Sequence, residues 1–238
     1  MSTGELRIPE GHERGEEMTS AQRGFYGVVR VALATVGRAY FRLEVHGREN
    51  IPRTGPFIIA PVHRSNLDTP MLGVVTRRRM RYMGKESLWR SAAGGWLLTA
   101  LGGFPVERGT ADRAALRAAT AVIERGEPLV MFPEGTRQQG PEVVEMFDGP
   151  AFVACRTGAP IVPVGIGGSD AAMPVGAKWV KPAKMAIVIG PPLFPPALKD
   201  SGRVSRKAVR QMTADLGASI QALYDEAQAL VGDRNPRG

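Results

Sequence analysis

The residues of this chain whose types and spacing could do chemistry gather in the segment 61–70, P-V-H-R-S-N-L-D-T-P, directly after the apolar run Phe57, Ile58, Ile59, Ala60. Of three histidines only His63 stands at the end of such a run, and a carboxylate, Asp68, follows five residues later. Along one regular helix, residues five apart point roughly 140° away from each other, so the pair meets only if the chain bends between them. Ser65, Asn66 and Pro70 suit a bend. An imidazole whose far nitrogen is held by a carboxylate has a fixed tautomer and takes a proton from a hydroxyl more readily. A structural reading stands beside the catalytic one. Asp68 before Thr69 and Pro70 is a good helix N-cap, and a histidine at a strand end is often only hydrogen-bonded scaffold.

Three further polar groups fall after predicted strands: Lys85, then Glu107 and Arg108, then the run Glu134, Gly135, Thr136, Arg137. A base with a carboxylate orienter, beside several fixed cations, suits a hydroxyl on a phosphate-bearing substrate. Arginine grips phosphate with two parallel hydrogen bonds, and lysine adds a point charge. No G-x-x-x-x-G-K-[ST] loop occurs, which disfavours nucleotide hydrolysis. Nor is there a G-x-S-x-G elbow, which counts against a serine esterase built on Ser65.

The elements that must position these groups alternate along the chain. Strands are expected near 43–45, 57–60, 81–84, 104–106, 128–132, 160–166 and 185–189. Helices are expected over 22–42, 71–76, 88–101, 110–125, 149–156 and 205–231. Thr110 is the expected cap of the fourth of these, and Leu116, Thr120 and Ile123 its inner stripe. The last helix carries Val209, Met212, Leu216, Ile220, Leu223, Ala227 and Leu230 at three- and four-residue steps, one face to the core. Such alternation predicts an α/β fold, with a mixed, largely parallel central sheet flanked by helices and an N-terminal membrane-associating helical segment. The organisation expected is a polar mobile tail over 1–20, an apolar and basic helical segment over 21–42, and one α/β domain over 43–238. The 22–42 helix, with Arg23, Arg30, Arg38 and Arg42, either packs on the domain or lies in a membrane interface with its arginines at anionic headgroups. Arg77, Arg78 and Arg79 read equally as a solvated helix end and as a face toward an anionic surface.

Composition narrows the partners. The single cysteine, Cys155, excludes an intramolecular disulfide and a multi-cysteine metal site, and its expected place is the apolar face of a short helix. A net charge of +8 and a pI near 10.1 call for an anionic partner. Aromatic residues make up only 6% and no zinc-finger, basic-zipper or aromatic RNA-binding signature occurs, so nucleic acid is the weaker choice. No apolar run reaches the roughly 18 residues of a membrane span, which leaves a soluble or membrane-surface protein.

Four motifs in order make the chain resemble the glycerolipid acyltransferases of the 1-acyl-sn-glycerol-3-phosphate acyltransferase family. They are H-x-x-x-x-D at His63 and Asp68, a G-x-x-x-V-x-R block over 102–108, F-P-E-G-T-R over 132–137, and a V-P-V block within 161–164. The resemblance covers about a hundred central residues. It implies that His63 is the general base and Asp68 its orienter. By the same resemblance Arg108, Glu134, Gly135, Thr136 and Arg137 belong to the acceptor site, with Lys85 as a phosphate-binding lysine. It also implies an acyl thioester donor on coenzyme A or acyl carrier protein, with neither metal nor further cofactor. The acceptor it implies is lysophosphatidic acid, with glycerol 3-phosphate or another lysophospholipid or glycolipid as alternatives. The expected place of reaction is the cytoplasmic side of the cell membrane, with the protein peripheral on an anionic surface. The chain departs from the family pattern at Gln138, where serine is common, and at Phe147, Asp148, Gly149, where F-K-x-G is common.

The chemistry expected is direct attack in a ternary complex, without an acyl-enzyme and with Cys155 structural. Backbone amides near the helix start after His63 are candidate oxyanion donors, and residues 88–101 are the expected lining for part of the acyl chain. Two rivals from other classes are a catalytically idle lipid-binding protein, which has no use for a positioned base, and a basic nucleic-acid binder.

Overall fold

The structure is a computed structural model that describes residues 19–106, 112–144, 146–197 and 203–232. Two segments of the chain pair at its centre because both are apolar on every position. Strand β2 (Ile58–Pro61) and strand β6 (Ile161–Gly167) are buried throughout, as strands covered by helices on both faces must be. Around them lie β1 (Glu44–His46), β3 (Arg81–Lys85), β4 (Gly103–Val106), β5 (Leu129–Val130) and β7 (Ala186–Ile189). The seven form one sheet in the order β1-β7-β6-β2-β5-β3-β4, parallel except where β6 meets β7. The expected mixed, largely parallel sheet is therefore present. Its two inner neighbours, β5 and β6, both come later in the chain than β2. Strand order thus reverses at β2, and the crevice beyond its C-terminal end is where open α/β sheets place ligands.

Helices cover both faces: α1 (Ser20–Ala39), α2 (Asp68–Leu72), α3 (Ala92–Ala100), α4 (Asp112–Glu124), α5 (Gly149–Thr157), α6 (Ser169–Ala172) and α7 (Arg206–Val231). Helix α7 runs along β6 and β7, α5 packs between α4 and α7, and α1 rests on α2 and α3. The buried stripe of α7 is Val209, Met212, Leu216, Ile220, Tyr224 and Ala227, with Leu223 and Leu230 only partly covered. Tyr224, absent from the expected stripe, falls between Ile220 and Ala227 on the same buried face. Helix α7 approaches so closely because β6 offers it glycine. A Cβ on Gly165 would lie 2.2 Å from the Leu223 carbonyl group. Gly165→Ala is expected to push α7 off the sheet and lower stability by about 1–3 kcal/mol, read as a lower denaturant midpoint with the slope unchanged.

Three expected elements differ. The helix expected over 71–76 is instead the five-residue α2, which stops at Gly73. The arginines after it do not form a solvated end. Arg78 lies over the Phe57 ring at 5.1 Å and donates to the carbonyls of Pro52 and Gly126, while Arg79 donates to Thr99 O. Only Arg77 is exposed. The helix expected over 88–101 breaks into a single 3₁₀ turn (Glu86–Trp89) and α3, because the Ser91 hydroxyl accepts from Gly94 N and starts a new helix there. The strand expected over 128–132 shortens to β5, since the chain peels into the following loop beyond Met131. Arg108 and the Thr110 cap lie outside the described residues, as does most of the expected 1–20 tail. Among the described residues no helix is long and apolar enough to cross a membrane.

Candidate active site

The turn after β2 is built around one carboxylate. The β2 ladder continues to Val62, whose N–H donates to Val164 O at 3.0 Å, and the chain then turns sharply. Asp68 Oδ2 accepts from Arg64 N and Ser65 N, both at 2.7 Å, and lies 3.0 Å from His63 Nδ1. One oxygen thus collects three donors and wraps 63–65 around itself. The Ser65 hydroxyl ties the turn to the Met173 carbonyl at 2.8 Å and accepts from Leu67 N. Asp68 is the first residue of α2 rather than its N-cap, a position that falls to Leu67 with no side-chain cap. The bend required between His63 and Asp68 is this turn.

The hydrogen bond to Asp68 places the imidazole proton on Nδ1, which leaves Nε2 with a free lone pair. The Phe132 ring stacks on the imidazole, with centroids 3.9 Å apart and planes 29° from parallel. Asp68 is fully buried and the His63 side chain 16% exposed, so the dyad has a closed end and an open one. A base positioned like this can take a proton from a hydroxyl presented at the crevice.

Glu134, assigned by resemblance to the acceptor site, faces the opposite way. Its side chain is fully buried, and both oxygens are taken: Oε1 accepts from Arg64 Nη1 at 2.7 Å, and Oε2 from Arg64 Nη1 and from the His63 backbone N–H, each at 2.8 Å. It therefore holds the main chain of His63. Arg64, not among the expected site residues, is 1% exposed. Its guanidinium also donates to the carbonyls of His63 and Glu142 and lies 5.0 Å from the centre of the Tyr224 ring. The only available signal was an arginine next to the histidine and a glutamate 70 residues on, which no local pattern connects.

The rest of the 134–137 run is exposed. Gly135 has φ +68, and a Cβ there would lie 2.7 Å from the Phe147 ring. Thr136 and Arg137 are exposed, and the Gln138 N–H closes the loop onto His63 O at 2.9 Å. Register brings the cations to the same edge. Ile59 pairs with Val130 and Val130 with Tyr82, so His63 stands four residues, and exposed Lys85 three residues, beyond one level across neighbouring strands. Arg137 follows β5, the strand between them. Elsewhere, Cys155 is buried in α5 with Sγ 3.9 Å from Met212 Sδ, and burial pushes its thiol up from the ordinary range, the opposite of what a nucleophile needs.

Two cavities flank this edge. Successive side chains of β3 point to opposite faces, and Tyr82 lines one cavity while Met83 lines the other. The first, about 180 Å³ and apolar, lies among α1, α2 and α3 and includes Tyr26, Leu33, Pro70, Leu98 and Leu101. The second, about 670 Å³, lies among α4 and the starts of α5 and α7.

Comparison with known proteins supports the fold and the family. The 1-acyl-sn-glycerol-3-phosphate acyltransferase of Bacillus subtilis (strain 168) is 28% identical over 190 residues, covering 79% of this chain and 91% of its own length. The mouse (Mus musculus) 1-acyl-sn-glycerol-3-phosphate acyltransferase alpha is 26% identical over 226 residues, 88% of this chain and 77% of its own. The crystal structure of the 1-acyl-sn-glycerophosphate (LPA) acyltransferase PlsC from Thermotoga maritima shares the fold, with a TM-score of 0.68 at 24% identity over 90% of this chain and 85% of that one. These similarities bear out the resemblance drawn from the four motifs. The family model described as Acyltransferase matches residues 42–167, more than half of the chain and the whole turn after β2, and the protein accordingly belongs to the Acyltransferase family of enzymes.

Proposed function

We propose that this enzyme transfers a fatty acyl group from an acyl thioester to the free hydroxyl of lysophosphatidic acid in phospholipid synthesis. The observation that carries the reading is the 3.0 Å His63–Asp68 contact at the open end of β2. His63 Nε2 takes the acceptor hydroxyl proton as the oxygen attacks the thioester carbonyl. The tetrahedral intermediate then collapses with cleavage of the carbon–sulfur bond, and the departing thiolate takes the proton back from the imidazolium. Lys85 and Arg137, with Arg108, hold the acceptor phosphate electrostatically. The acyl chain enters the apolar cavity beside α2, where Leu98 and Leu101 of the 88–101 segment form part of the wall. Each methylene buried there contributes about 0.8 kcal/mol, so chain length is selected by the closed end of the cavity.

Purified protein incubated with acyl-coenzyme A or acyl carrier protein thioester and a panel of acceptors tests the reading. Lysophosphatidic acid should yield diacylglycerol phosphate by mass. Absence of thiol release with every pair, including glycerol 3-phosphate and other lysophospholipids, rejects it.

The acceptor is a lipid, and the outward faces of α1 and α3 suit its surface. Val28 and Val31 of α1 are 68% and 58% exposed, and Trp96 of α3 is 51% exposed and packs at 5.3 Å on Phe25. Arg23 and Arg38 lie on the same exposed helix. This arrangement supports peripheral binding to the cytoplasmic side of an anionic membrane. The double substitution Val31→Ser and Trp96→Ser should lower co-sedimentation with anionic vesicles at least about tenfold. Unchanged sedimentation would place the membrane contact elsewhere.

A further inference from the structure

We propose that the larger cavity binds the phosphopantetheine arm of the acyl donor, with Arg206 and Arg210 receiving its phosphate. The inference rests on the acyl-transfer reading above and adds the donor site that it leaves open.

A thioester has two arms that leave its carbonyl in different directions, one the acyl chain and the other the pantetheine. The site offers two cavities on opposite faces of β3, and one is small and almost wholly apolar. The larger is mixed in character. Its body is Met83, Leu116, Met131, Phe132, Phe147 and Val209, and its polar lining is Arg206, Arg210 and Asp148, whose Oδ1 accepts from the Thr213 hydroxyl at 2.7 Å. Phe132 is also the ring stacked on His63, so this cavity is separated from the catalytic imidazole by one side chain. Amide, methyl and methylene groups of a pantetheine match such walls, and a volume of about 670 Å³ falls in the range of ordinary ligand clefts.

The two arginines are exposed and so free to meet a ligand. They sit four residues apart, on one face of α7, where like charges repel each other. Neither has an ion-pair partner among the described residues. Arg206 is the first residue of α7, a 26-residue helix whose dipole adds positive potential at that end. The cations assigned to the acceptor, Lys85 and Arg137, do not line this cavity. A phosphate between Arg206 and Arg210 offsets their repulsion and anchors the far end of the arm.

The same phosphopantetheine occurs in coenzyme A and on acyl carrier protein, so the test uses both. Binding of 4′-phosphopantetheine, coenzyme A and phosphate-free pantetheine is measured calorimetrically on the full chain, and KM is measured with acyl-coenzyme A and with acyl carrier protein thioester. The double variant Arg206→Glu, Arg210→Glu should weaken phosphopantetheine and coenzyme A at least tenfold and pantetheine less than twofold. It should also raise KM for both donors and leave the acceptor KM unchanged. Ala115→Trp, which fills the apolar body, should weaken all three ligands, pantetheine included. The donor with the lower wild-type KM identifies the source of the arm. Wild-type affinity for phosphopantetheine in the double variant, or a rise in the acceptor KM instead, overturns the proposal. Normal phosphopantetheine binding by a wild-type protein that releases no thiol would reject the acyl-transfer reading and leave this site standing.

Discussion

His63→Ala is expected to lower the turnover number of acyl transfer by a factor of about a hundred to ten thousand, the range typical for loss of a positioned general base, while the protein stays folded. The imidazole makes one side-chain hydrogen bond, and the turn is held by other groups: Asp68 keeps its two backbone donors, and the His63 N–H keeps Glu134. Circular dichroism and the denaturant midpoint should therefore change little when thiol release from the donor falls. Asp68→Asn should also cost activity, because one oxygen accepts from Arg64 N, Ser65 N and His63 Nδ1: an amide that keeps its oxygen there lacks the negative charge that stabilises an imidazolium, and one that puts its NH2 there faces the N–H groups of Arg64 and Ser65. Near-wild-type transfer by the His63 variant would reject the base, and with it the direct-attack mechanism.

The second large effect falls on stability. Arg64→Ala and Glu134→Ala should each destabilise the fold by about 3–5 kcal/mol, the usual cost of leaving one member of a buried ion pair uncompensated. The Arg64–Glu134 contacts at 2.7 and 2.8 Å lie in a site with almost no solvent exposure, and Glu134 also accepts the His63 N–H. Arg64→Met with Glu134→Leu removes both charges together and should recover much of that loss, since neither charge is then stranded. Turnover should remain depressed in the two variants that lack Glu134, because the His63 backbone N–H has then lost its acceptor. If Glu134→Ala keeps its denaturant midpoint and only raises the acceptor KM, the carboxylate belongs to the acceptor site as the resemblance implied.

The distinction matters for how site residues are read from motifs. In F-P-E-G-T-R the glutamate and the arginine two positions beyond the glycine look alike as polar residues of a loop, yet the structure turns Glu134 inward and leaves Arg137 at the surface. The same holds for 77–79, where consecutive arginines have separate fates: one exposed, one over Phe57 and one on the Thr99 carbonyl. Their charge was legible; their direction was not. Fully buried arginine is rare unless paired, so a sequence reading places such residues outside by default.

By itself the sequence determined the alternation of strands and helices, the apolar strand that delivers His63, the stripe on α7 and the order of the four motifs. These follow from local periodicity and turn chemistry, which act over a few residues and can be read from them. The tertiary structure alone decided that β2 lies between β5 and β6, that Arg64 closes on Glu134 across 70 residues of chain, and that β3 separates two cavities at the edge that carries His63. Those outcomes depend on which elements become neighbours in space, and contacts between distant segments leave no periodic trace in either segment.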